Sequence, residues 1–99
     1  MVNVQKGERF EVRMDFPTTA LTHWKAPVTD GLPCTLPKGT ILVVASDSPP
    51  SRVAFSCVPE DWEAFLSRHI PEDVRLDPKF AGISFVIEKE EIGSKISPA

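Results

Sequence analysis

The chain reads as a mainly β domain carrying one inserted α-helix. Three stretches predict this class. FEVRMDF (10 to 16) sets Phe10, Val12, Met14 and Phe16 in alternation with Glu11, Arg13 and Asp15, the period of a half-buried strand. Thr40 to Ala45 is a nearly continuous apolar run of strand length, rich in Ile and Val. PEDWEAFLSRHI (59 to 70) holds Trp62, Phe65, Leu66, His69 and Ile70 at helical spacing.

Taken in order, Val2 and Val4 share the phase of the 10 to 16 run, so a short N-terminal strand turning at Lys6-Gly7 is expected before it. Pro17 should end the first long strand, since proline gives no N–H to a ladder. Residues 17 to 39 carry four prolines and two glycines, which leaves room for one short strand around Leu21 to Lys25. Asp30-Gly31 then gives a hairpin signal. LPKGTILVV (36 to 44) repeats the Lys-Gly step of QKGERFEV (5 to 12), each step preceding a strand-like run. Glycine supplies the turn conformation and lysine keeps its tip in water, so both steps read as corners. LPKGTILVV should launch a central strand. SDSPPS (46 to 51) is a loop, and Arg52 to Val58 alternates again, with Val53, Phe55 and Cys57 on one face.

Pro59 fits the first helical position, where its missing N–H costs no bond. Glu60 and Asp61 suit the positive end of the helix dipole, Arg68 and His69 the negative end, and Pro71 is the stop. PEDVRLDPKFAG (71 to 82) is irregular. Ile83, Phe85 and Ile87 form a last strand, in which Val86 suggests partial cover of the other face. A single domain over residues 1 to 93 is expected, with 94 to 99 as a disordered tail.

Ninety-nine residues, 41% of them hydrophobic and 25% charged, suit one globular domain. With charges from residue 6 and no long apolar run, neither a signal peptide nor a membrane helix is expected. The expectation is a cytoplasmic protein with no membrane partner. A net charge of −3 argues against nucleic acid. Glu60, Asp61, Glu63, Glu72, Asp73 and Asp77 against Arg68, Arg75 and Lys79 account for that excess, as a solvated helix face and loop.

Short strands entered from glycine turns, with a helical element before the last one, resemble Src-homology-3-like small barrels. The likeness covers residues 5 to 58 and 82 to 92, through stretches such as LPKGTILVV. It implies a β-barrel, from which a twelve-residue helix is a departure. The alternative is an α+β open sheet with one helix packed across it.

Few residues offer chemistry. Cys34 and Cys57 are too few for a disulfide scaffold and are expected as free thiols in a reducing compartment. With His23 and His69 they make the only soft ligand set, without the spacing of a zinc motif. No phosphate loop, dinucleotide fingerprint or nucleophile motif is present, so no catalytic residue, cofactor or metal is assigned. Trp24 in THWKAP, with His23 beside it, and Phe80 in DPKFAG place aromatics in irregular segments. Aromatics so placed can grip a peptide or protein; they can equally cap the core. The sequence thus reads as a non-catalytic protein- or peptide-binding module using Trp24, His23 and Phe80. A metal- or redox-responsive protein using Cys34, Cys57, His23 and His69 is the alternative.

Overall fold

The structure is a computed structural model that describes residues 4–25, 29–45 and 54–99. Val2, the 46 to 51 loop and the start of the strand expected from Arg52 lie outside the described residues. Among those described, seven strands form one open antiparallel sheet: β1 (Arg9–Val12), β2 (Phe16–Trp24), β3 (Thr29–Leu36), β4 (Ile41–Val44), β5 (Ala54–Pro59), β6 (Phe80–Glu88) and β7 (Ile96–Pro98). Their order is β3-β2-β6-β5-β4-β1-β7. Two helices, α1 (Trp62–His69) and α2 (Glu72–Arg75), lie between β5 and β6. The sheet keeps β3 and β7 as edges, so the domain is mainly β, with the open arrangement of the alternative and without closure into a barrel among the described residues.

The two Lys-Gly steps are built alike. Glu8 N–H donates to the Gln5 carbonyl and Thr40 N–H to the Pro37 carbonyl, both at 3.1 Å. Gly7 and Gly39 occupy φ 91° and 92°, the third position of a turn that favours glycine there. Each turn also closes onto the strand that follows the other. Gly7 N–H donates to the Val44 carbonyl (2.9 Å), and Gly39 N–H donates to the Val12 carbonyl (2.8 Å). Val12 N–H reaches the Thr40 carbonyl and Val44 N–H the Glu8 carbonyl, both at 2.9 Å. Phe10 pairs with Leu42 at the centre of the β1–β4 ladder, so the two units are related by a local two-fold.

Inside the sheet, Phe10, Val12, Phe55, Cys57, Ile83, Phe85 and Ile87 are buried, as their alternation predicts, and so are Leu42 and Val44 of the apolar run in β4. Phe10 packs on Phe55 (5.7 Å) and Phe65 of α1 meets Phe85 edge-on (5.6 Å). Ridge-like contact through Phe65, Leu66 and Ile70, all buried, fixes α1 to the sheet. Trp62 belongs to the same stripe by spacing, yet it is 49% exposed in the first turn of the helix.

Several expectations are corrected. The strand over 10 to 16 breaks after Val12, and Met14 turns out to water at 50% exposure. Pro17 does not end a strand but lies inside β2, opposite Thr35. Over residues 16 to 19 β2 has only β3 beside it, while β6 joins from Ala20, and an open side tolerates a residue without N–H. Asp30 and Gly31 are not a turn: they pair within β3 with Thr22 and Leu21. A Cβ on Gly31 would lie 3.0 Å from Thr19 Cγ2, so that glycine serves close cross-strand approach. Pro59 closes β5, and Asp61 caps α1, its side chain accepting the Ala64 N–H at 3.3 Å. The segment after Pro71 contains α2, and Val86 is 48% exposed. Residues 94 to 99 hold β7, whose Ile96 is buried and pairs with Val12; the apolar Ile96 finds the open edge of β1 and orders the end of the chain.

Because Gly7 and Gly39 sit at positive φ in equivalent turns, Gly7→Ala and Gly39→Ala should destabilise by similar amounts, about 1–2 kcal/mol each. Urea unfolding of the two variants checks this; a cost confined to one of them would break the equivalence.

Candidate functional site

The register of β4 on β5 shapes a recess beside α1. Leu42 pairs with Pro59 and Glu60 N–H donates to the Ile41 carbonyl at 2.8 Å. This sets the Pro37–Ile41 turn alongside the start of α1. Between them lies an open cleft of about 410 Å³, within the ~300–1,000 Å³ usual for ligand sites. One wall is Pro37 to Ile41; the other is the α1 side bearing Asp61, Ala64, Phe65, Arg68 and His69, with Pro59 and Glu60 joining them. These helix positions recur at i, i+3, i+4, i+7 and i+8, one face of the helix.

Its carboxylates are held by the protein. Glu60 takes a two-point contact from Arg9, Nε to Oε2 at 2.5 Å and Nη2 to Oε1 at 3.2 Å. Asp61 is turned onto its own helix as the N-cap. The His69 ring lies against Phe65 in a tilted arrangement, 40° between planes and centroids 4.6 Å apart, at the exposed end of the same face. Apolar surface from Pro37, Ile41, Pro59, Ala64 and Phe65 thus lies between charged groups.

Of the residues singled out from sequence, His69 lines the cleft, whereas Trp24, His23 and Phe80 lie elsewhere. Trp24 and Phe80 are cross-strand neighbours beside an irregularity in the β2–β6 ladder and meet edge-on at 5.7 Å. The indole N–H of Trp24 donates to Asp30 Oδ2 at 2.9 Å, and Phe80 packs against the core. His23 is hydrogen-bonded through Nε2 to the Ser84 hydroxyl at 2.7 Å. Both aromatics are half-buried and engaged with their own sheet, which matches core capping.

Cys34 and Cys57 are free. Three inter-strand steps separate β3 from β5 in the sheet order, roughly 14 Å at the usual spacing. His23 lies on β2 and His69 on α1, so the fold distributes the four soft ligands. Among the described residues, the metal-type side chains that converge are Glu88, Glu90 and Glu91, at the end of β6 and just after it. A hydrogen bond to Glu90, and repulsion from it, raise the Glu88 carboxyl above its ordinary value.

The cleft left little trace in the sequence. Lys38 was visible as part of a turn and Arg68 and His69 as a helix end, but only the Leu42–Pro59 pairing brings them to one recess. No protein family, curated protein or solved structure matches the chain.

Burial pushes the Cys57 thiol up to about 12, and burial also raises Cys34. An unfolded chain releases the Cys57 proton near the ordinary thiol value of about 8.5, whereas the folded protein holds it. The stability tied to this group is full below that value and is lost as pH rises towards 12. Between pH 8.5 and 11, Cys57→Ala should therefore lose less stability than the parent protein, by on the order of 3 kcal/mol. Denaturant titrations across this range check it, and parallel declines would contradict it.

Proposed function

We propose that this domain is a non-catalytic binding module that docks a protein or peptide segment in the cleft between the Pro37–Ile41 turn and α1. The observation that carries the reading is the cleft itself: an apolar lining framed by charged groups, held between a paired strand and a helix anchored through Phe65. Pockets of that composition suit a side chain or two of an extended partner. Trp62 adds weight, because it follows Asp61 of the cleft wall directly and leaves half its surface in water. Tryptophan is enriched among the residues that dominate interface energies.

The proposal moves the docking surface away from Trp24, His23 and Phe80, whose polar and ring contacts are spent within the sheet. It keeps the resemblance to Src-homology-3-like domains as a reading of the way short strands and turns present a binding face. Two free cysteines accord with work in a reducing compartment such as the cytoplasm.

Selection of a random dodecapeptide display library tests the proposal, with the parent domain and Ala64→Trp as parallel baits. Tryptophan at position 64 fills the cleft from the helix side. Sequences enriched on the parent should fall at least tenfold in recovery on Ala64→Trp, with both baits folded by circular dichroism. Equal recovery on the two baits, or no enrichment on either, would refute the cleft as a docking site.

A further inference from the structure

We infer that the cleft selects acidic segments, recognising carboxylates of a peptide partner through Lys38, Arg68 and His69. The inference rests on the docking reading above and adds the chemistry of the occupant. It follows from the state of each charged group in the walls. Glu60 is matched by the Arg9 guanidinium across two contacts. Asp61 is directed at the Ala64 N–H, where the positive end of α1 offsets its charge. Asp15, beside the turn, accepts the Lys38 backbone N–H at 3.0 Å. By contrast, neither the Lys38 ammonium nor the Arg68 guanidinium has an ion-pair partner among the described residues, and both residues are exposed.

The charges are also sorted along the helix. Asp61 and Arg68 are seven residues apart on one face, about 10 Å at the helical rise. Acid is confined to the first turn of α1, and Arg68 with His69 occupies the last. A protein of net charge −3 thus carries a local basic end in this cleft. Arginine offers a planar fork suited to carboxylates, and Ile41 and Ala64 line the same cleft beside it. An acidic residue next to an apolar one is the pattern that fits: the apolar side chain lies between Pro37 and Ala64, and the carboxylate reaches Arg68.

Charge reversal tests this directly. The same dodecapeptide library is selected on the parent domain and on the Lys38→Glu/Arg68→Glu variant, whose substituted side chains are exposed and leave the core intact. Peptides enriched on the parent should carry a net negative charge. Their binding, read by fluorescence anisotropy on the recovered sequences, should weaken at least tenfold on the variant and weaken with added salt. The variant should enrich neutral or basic sequences. If cleft-dependent peptides emerge with no acidic bias, or bind parent and variant equally, the charge selectivity is wrong while the docking site stands. If acidic peptides bind equally to Ala64→Trp, they sit elsewhere and both readings fall. Failure to enrich any sequence overturns both as well.

Discussion

The β1–β4 ladder, closed at both ends by the Lys6-Gly7 and Lys38-Gly39 turns, is the constraint from which the rest of the fold follows. Each turn donates its glycine N–H to the valine carbonyl that ends the opposite strand. Neither strand can slip without breaking bonds at both ends, because a one-residue shift would turn Phe10, Val12, Leu42 and Val44 out of the core together. Register is fixed here by geometry as much as by apolar pattern.

With that ladder set, its two flanks are assigned. Beyond β1, the short β7 places Ile96 against Val12 and covers an edge that would otherwise expose unpaired backbone. Beyond β4, β5 brings Pro59 opposite Leu42, and the chain must leave the sheet beside the Pro37–Ile41 turn. Asp61 starts α1 at once, and Phe65 drops onto Phe85. The cleft is what remains between a turn hydrogen-bonded to the end of β1 and a helix held by its buried stripe. Its charge pattern then follows from which carboxylates the fold itself consumes.

Much of this was legible in the sequence. The two Lys-Gly corners, the central place of the Ile41–Val44 strand, and the buried set Phe55, Cys57, Ile83, Phe85 and Ile87 all follow from local chemistry and alternation. What escaped was decided by tertiary pairing. Phe10 to Phe16 alternates perfectly, but the chain breaks between Val12 and Phe16 so that β1 can serve β4 and β7 while β2 serves β3 and β6. Pro17 is tolerated in β2 because β6 does not extend to it, and Asp30-Gly31 lacks a turn because both residues pair across the β2–β3 ladder with Thr22 and Leu21. Ile96 looked like part of a tail since its partner, Val12, lies 84 residues away. The cleft was least legible of all, because Lys38 and Arg68 meet only through the β4–β5 register.

The measurement that bears most directly on this account is native-state hydrogen exchange of the Val12 and Val44 amides. If the doubly closed ladder holds the fold together, both amides should exchange only through global unfolding, with matching free energies of opening and matching denaturant dependence. Exchange of either amide through a local opening, with the other still protected, would show that the two turns do not act as one constraint.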